Sequence, residues 1–253
     1  MDPNLSPCKS LATIAPQRTT YLGSRNLAVE VHEMILEYVF DDLPDQILLT
    51  SLTEFGKKNL KGGIFPDIVF TNKLLYHVGT LTFIRHSQFV LGFFEYDRGY
   101  EHACDIFRGF LSRFGGGIDK VQRLAFDYVN NSTLLSNMSI GQFCHKFPAL
   151  KDLRLEFSGY EVIENASNSI QRFRSVGEIL LDFQLHSLFL LPKLQCLSIS
   201  LKFCPSITYA IGGIDKVDEF VGKSQSALVQ RFGIFKEGVE VKITVDRIRY
   251  RVG

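Results

Sequence analysis

The sequence predicts a mixed α/β protein, in which an N-terminal helical module precedes an irregular array of short strands and helices. Residues 27–40 have an amphipathic period close to 3.6, and residues 88–94 form an apolar segment rich in β-branched and aromatic residues. Similar short apolar segments recur between candidate helices after residue 98. With 253 residues, of which 45% are hydrophobic, the chain is long enough to bury a sizeable core.

Three regions are predicted along the chain. Residues 1–23 contain three prolines and scattered Ser and Thr without an apolar period, which predicts a flexible leader. We assign residues 24–87 to the helical module and residues 88–253 to the array. The leader lacks the features of a secretory signal, and no window approaches eighteen consecutive apolar residues. We therefore expect an intracellular protein, in the cytoplasm or nucleus, with no membrane partner.

The first predicted helix covers residues 27–40. Three glutamates occupy one face of this segment, Asn26 can cap its start, and Pro44 stops whatever helix remains. The other face is apolar and consists of Leu27, Val31, Met34, Ile35, Tyr38 and Val39. This spacing predicts an amphipathic helix.

The rest of the module is predicted to contain two more helices. A second helix is predicted at residues 45–60, where apolar residues lie near helical spacing and a Gly-Gly pair follows. A third is predicted at residues 71–81. Residues 88–94 then form a strand, because they are aromatic and β-branched without a helical period.

Three later segments share one apolar frame. Residues 121–126, 150–155 and 194–199 each place apolar side chains at their first, fourth and sixth positions, which is the L-x-x-L-x-L core of a leucine-rich repeat. A weaker fourth copy at residues 176–181 gives spacings of 29, 26 and 18 residues between successive copies. The uneven spacing predicts an irregular array of strands.

Helices are also predicted at residues 102–114 and 216–232, and a half-buried strand at residues 239–246. The alternating basic tail at residues 247–251 is typical of an edge strand protected by charge, with nucleic-acid contact as the alternative. The formal net charge is only +1, so the protein has no large positive electrostatic field that would attract nucleic acid, and we expect no such partner.

Two identical segments, GGIDKV, occur at residues 116–121 and 212–217. A Gly-Gly turn that leads into a helix or strand explains both copies. A phosphate-binding loop would need a hydroxyl residue after the lysine, and Val121 follows Lys120. We predict turns at both places and no nucleotide site.

Signatures of catalysis and metal binding are missing from the sequence. No G-x-S-x-G motif occurs, and the adjacent Cys144 and His145 fit the end of a helix, because a catalytic Cys and His normally meet through the fold. The histidines lack H-x-x-x-H pairs and the five cysteines lack a CxxC pair. We predict a protein that is not an enzyme, with no catalytic, cofactor-binding or metal-binding residues. An unfamiliar enzyme would instead require a deep pocket with convergent polar groups.

The first helix resembles the opening of an F-box, which typically reads Leu-Pro-x-Glu-Leu with an Ile-Phe-like pair later. Leu27, Glu30, Val31 and Ile35 match this pattern, whereas Ala28 replaces the usual proline and the chain has no Trp. The continuation PDIVFTNKLLYHV and the Phe-rich strand after it are similar to fungal F-box-like proteins, in which leucine-rich segments often follow.

This resemblance implies protein–protein interaction. The chain would be a substrate receptor of a cullin-RING ubiquitin ligase of the Skp–cullin–F-box type, bound to a Skp-type adaptor and to an unknown protein target. The implied adaptor-binding residues are Leu27, Val31, Met34, Ile35 and Tyr38. The alternative is a divergent scaffold or binding domain in which the helices are only structural. Exposure of the first helix's apolar face distinguishes these interpretations.

Overall fold

The structure is a computed structural model that describes residues 28–40, 46–48, 67–71, 73–92, 95–129, 139–165 and 171–247. In these ranges, six parallel strands form one sheet whose order follows the chain from edge to edge. Because neighbouring strands are parallel, the chain must return to the opposite end of the sheet through a crossover connection before it forms the next strand. The predicted mixed α/β class is therefore confirmed.

The strands of this sheet are β1 (Gln46–Leu48), β2 (Gln88–Leu91), β3 (Arg123–Val129), β4 (Asp152–Ser158), β7 (Cys196–Phe203) and β8 (Glu240–Arg247). A separate antiparallel pair consists of β5 (Ile163–Asn165) and β6 (Gln171–Phe173). The α-helices are α1 (Val29–Phe40), α2 (Lys73–His86), α3 (Glu95–Leu111), α4 (Gly117–Lys120), α5 (Ile140–Cys144), α6 (Val176–Asp182), α7 (Pro205–Ala210) and α8 (Ile214–Phe235). Short 3-10 helices lie at Asp67–Phe70, Gly159–Val162 and Leu185–Leu190.

The three segments that share the apolar frame form the neighbouring strands β3, β4 and β7. Leu124, Leu153, Leu197 and Val241 lie side by side, at spacings of 29, 44 and 44 residues. The predicted fourth copy at residues 176–181 is wrong, because these residues lie in α6. A capping box starts this helix, in which the Ser175 and Glu178 side chains bond each other's backbone N–H groups.

Aromatic side chains connect one face of the sheet to the helices. The rings of Phe89 in β2 and Phe107 in α3 are 4.8 Å apart between centroids, and Phe126 in β3 meets Phe143 in α5 at 6.1 Å. All four side chains are buried. Burial of each ring contributes about 1.5–3 kcal/mol, so this face is the core of the fold. The other face of β3, β4, β7 and β8 carries polar side chains at alternate positions, as period-two strands require.

Other sequence predictions have mixed outcomes. The predicted second helix at residues 45–60 is wrong at Gln46–Leu48, which is strand β1 paired with β2, and its remainder lies outside the described residues. The helices predicted at residues 27–40, 71–81, 102–114 and 216–232 correspond to α1, α2, α3 and α8. The strands predicted at residues 88–94 and 239–246 correspond to β2 and to the edge strand β8. The predicted leader lies outside the described residues. Among the described helices, none has the length and apolar content needed to cross a membrane.

Both GGIDKV segments start helices, as a Gly-Gly turn predicts. Gly116 has a φ of 79°, and Gly212 and Gly213 have φ values of 93° and 100°, a region that favours glycine. The first copy makes only the short helix α4, after which Val121 is extended and leads into β3. The second copy begins the 22-residue helix α8. One hexapeptide therefore starts two helices of very different length.

Candidate functional site

Helix α1 is attached to the fold by one buried row of side chains. His32, Leu36 and Phe40 lie four residues apart and are all buried. The Phe40 ring meets Phe83 of α2 edge-on, with centroids 5.9 Å apart. This row therefore holds one side of α1 against α2.

A second row of α1 faces solvent. It follows the spacing i, i+3, i+4 and i+7, and each of its four apolar side chains is exposed. We call this row the α1 stripe: Val31 (38% exposed), Met34 (68%), Ile35 (43%) and Tyr38 (80%). Leu27, the fifth residue predicted for adaptor binding, lies outside the described residues. The structure thus brings four of the five predicted residues together on one exposed helical face.

Ion pairs also join α1 to α2, beside the buried row. Glu33 accepts a hydrogen bond from Arg85 of α2 at 3.3 Å, and Glu37 pairs with the same guanidinium. His86 Nε2 also lies 3.4 Å from Glu37. These contacts turn the glutamates toward α2, and the apolar α1 stripe is left in water.

The polar face of the sheet forms a second organised surface. Its centre is Glu156 of β4, whose side chain is only 2% exposed. Lys202 Nζ on β7 lies 2.6 Å from Glu156 Oε1, and Arg154 Nη2 lies 3.4 Å from Oε2. Ser200 donates a hydrogen bond to Asp246 on β8 at 2.8 Å. We call these five residues and Asp127 the polar sheet face.

An irregularity in β3 adjoins this surface. The pairing register between β3 and β4 shifts between Phe126 and Val129, and Tyr128 has the unusual φ of 58°. The Lys202 ammonium lies 4.7 Å from the centre of the Tyr128 ring. The bulge therefore turns an aromatic ring toward the lysine that pairs with Glu156.

Two pKa shifts follow from this arrangement. Partial burial raises the pKa of Asp127 above its usual value, and the Glu156 carboxylate raises it further. Burial opposes the charged form of Lys202, but Glu156 and Tyr128 outweigh it and raise the Lys202 pKa. Both shifts belong to a network in which neighbouring strands supply the partners.

Cys144 and His145 have structural roles. Cys144 is fully buried, and burial raises the pKa of its thiol far above the usual range, so it stays protonated. His145 is the C-terminal cap of α5, and its Nε2 lies 2.8 Å from the Ser187 carbonyl oxygen. The prediction that this pair marks a helix end is confirmed.

Sequence reasoning missed the polar sheet face. The sequence pattern that indicates this face is present in β4, where Arg154 and Glu156 alternate with the apolar residues of the shared frame. The same alternation places Ser200 and Lys202 outward in β7. A period-two interpretation of both segments would have predicted a charged face opposite the core.

Comparisons with known protein families, curated proteins and solved structures find no match for this chain.

Proposed function

We propose that this chain is a non-enzymatic protein-interaction module that uses the α1 stripe to dock on a Skp-type adaptor, as the substrate receptor of a cullin-RING ubiquitin ligase. The proposal rests on the exposed apolar stripe of Val31, Met34, Ile35 and Tyr38. Apolar side chains at this spacing fit helix docking into a hydrophobic groove. The resemblance of residues 27–40 to an F-box opening is the reason for proposing a Skp-type adaptor as the partner.

The position of the stripe supports docking. A surface helix normally turns its apolar side chains toward the core, whereas α1 buries Leu36 and Phe40 and still leaves Met34 and Tyr38 exposed. Clustered exposed apolar side chains are typical of interaction sites. Arg85 pairs with Glu33 and Glu37 beside the buried row of α1, so the stripe lies on a helix that is already attached to the fold and little ordering is needed on binding.

The later strands supply the second half of the proposal. Their sequence order, their parallel pairing and the L-x-x-L-x-L frame of β3, β4 and β7 support the proposal of a leucine-rich-repeat-like array. Arrays of this kind present extended surfaces on which a protein can bind. In this proposal the array holds the protein target while α1 holds the adaptor.

Co-purification with a Skp-type adaptor tests the proposal. The intact chain is expected to bind the adaptor, and Val31→Asp combined with Ile35→Asp is expected to abolish binding, because each carboxylate would have to enter an apolar interface. Tyr209→Asp is the matched control, since Tyr209 is 87% exposed on α7 and lies outside the stripe. This variant should bind like the unmodified chain.

Thermal unfolding of both variants separates binding from folding. Exposed substitutions away from structural features usually change stability by less than about 0.5 kcal/mol, so both variants should remain folded. Absence of adaptor binding by the intact, folded chain would contradict the proposal. It would favour a scaffold or binding domain in which α1 is only structural through His32, Leu36 and Phe40.

A further inference from the structure

A groove lies between the segment that joins β6 to α6 and the long helix α8. Its volume is about 570 Å³, within the range of roughly 300–1,000 Å³ found for small-molecule sites. Phe173 and Phe220 form its floor, with their rings stacked at 4.2 Å between centroids and 6° between planes. Val176 and Ala227 extend this apolar floor. The groove therefore offers apolar contacts to a ligand.

The rim of this groove is cationic. Lys216 and Lys223 share the single carboxylate of Glu219, at 3.1 and 2.6 Å. The two ammonium groups hold the Glu219 pKa below its ordinary value. One positive charge therefore stays in excess on this side of the rim.

Two arginines complete the rim. Arg174 pairs with Asp182 and donates to the Glu161 carbonyl oxygen at 3.1 Å, so its charge is matched within the fold. For Arg231, the described part of the chain offers no carboxylate within ion-pair distance. A methyl group at Gly177 would lie 3.5 Å from Arg231 Nη2, in ordinary van der Waals contact, so the backbone at Gly177 lies beside the guanidinium. Arg231 is thus a half-buried cation at the edge of an apolar groove.

We propose that this groove binds a small anionic amphiphile, with its acid group beside Arg231 and its apolar part on the Phe173 and Phe220 floor. A neutral apolar ligand would leave the excess positive charge without a partner, and inorganic phosphate alone would leave the aromatic floor unused. Guanidinium groups bind carboxylate and phosphate through paired charge-assisted hydrogen bonds, whereas stacked rings favour apolar contact. This site is separate from the α1 stripe and does not depend on the proposed adaptor.

Titration of the full chain with octanoate, followed by amide NMR, tests this assignment. Two comparison compounds separate the contributions of the ligand: inorganic phosphate carries only the negative charge, and 1-octanol carries only the alkyl group. Octanoate is expected to shift the amide signals of Gly177 and Ser224, both of which line the groove, and to bind more tightly than either comparison compound. Shifts confined to other parts of the chain, or equal affinity for phosphate and octanoate, would overturn the proposal.

Two substitutions with opposite expected signs sharpen the test. Arg231→Gln should weaken octanoate binding about tenfold, because it removes a charge-assisted contact. Glu219→Gln should strengthen binding about threefold, because it frees Lys216 and Lys223 from their shared anion.

The control is Lys242→Gln on β8, where Lys242 pairs with Glu240 outside the groove. It should leave the affinity unchanged. The amide spectra report whether each variant is folded. Unchanged affinity in folded Arg231→Gln, or weaker binding in Glu219→Gln, would overturn the role assigned to the rim.

Discussion

The α1 stripe and the polar sheet face are two surfaces of the described chain whose side chains lie in opposite environments. On the sheet, Glu156 lies between Lys202 and Arg154, and Ser200 bonds Asp246 on the next strand. On α1, apolar side chains project into water. The sheet surface is charged but has its partners within the chain, whereas the helix surface is apolar and exposed.

This difference shows why charge alone is a poor indicator of a binding surface. A carboxylate already paired with two cations gains little from a third, and an incoming partner would first have to displace those contacts. Exposed apolar side chains gain free energy from any complementary surface that removes them from water. The α1 stripe is therefore the better docking candidate, and the network around Glu156 is expected to act first on stability.

The sharpest test of the comparison uses two neighbouring residues of α1. Leu36 is 1% exposed and Ile35 is 43% exposed. Leu36→Ala should lower the free energy of unfolding by about 2–5 kcal/mol, because it leaves a cavity in the core. Ile35→Ala should change it by less than about 0.5 kcal/mol. Urea unfolding measures both, and similar losses would mean that the stripe also supports the fold.

A second test addresses the sheet surface. Glu156→Gln removes the shared anion of Lys202 and Arg154, and it should lower the free energy of unfolding by about 1–3 kcal/mol. The loss is smaller than for a fully buried pair, because both cations keep partial access to water. Asp152→Asn, on the same face of β4 but with no described ion pair, is the control and should have little effect. A more stable Glu156→Gln variant would show that desolvation of Glu156 outweighs its pairing.

The third test concerns the contact that orients the stripe. Arg85→Met keeps the apolar stem and removes the pairs with Glu33 and Glu37, and it should cost about 0.5–1 kcal/mol because these side chains are partly exposed. A double-mutant cycle with Glu37→Gln isolates the pair from other effects. Additive losses would mean that Arg85 and Glu37 do not stabilise each other in the folded chain.

The sequence predicted which helices and strands form better than it predicted which way they face. The amphipathic period of residues 27–40 identified α1, but the face that α1 buries depends on its contacts with α2, such as the pair between Glu37 and Arg85, 48 residues later. No local sequence pattern connects residues that are so far apart in the chain. The polar sheet face is similar, since Glu156 and Lys202 meet only when β4 and β7 pair. Local hydrophobic periods predict helices and strands, whereas the contacts of Arg85 and Glu156 depend on how those helices and strands are arranged in the fold.

Two of the wrong predictions had different causes. The apolar pattern of residues 176–181 fits a strand frame, yet Ser175 and Glu178 form a capping box that was readable in the sequence. At residues 46–48 the near-helical spacing of a few apolar residues predicted a helix, whereas pairing with β2 makes a three-residue strand. In the first case a helix-start signal was overlooked, and in the second a tertiary contact overrode local preference.

The smallest effect is expected at Asp127, on the edge of the polar sheet face. Its pKa is raised in the folded state by partial burial and by Glu156, so folding favours its protonated form. Ionised Asp127 therefore destabilises the fold above the unfolded-state pKa, and Asp127→Asn should be the more stable protein at pH 7. The advantage should shrink as the pH falls through the raised folded pKa toward the ordinary value of 3.8 and vanish below it.

Urea unfolding across this pH range measures the difference in stability between Asp127→Asn and the unmodified chain, and a difference that does not change with pH would contradict the role of charge. In a Glu156→Gln background the advantage should shrink but persist, because partial burial is the larger cause of the raised Asp127 pKa and the Glu156 charge is the smaller one.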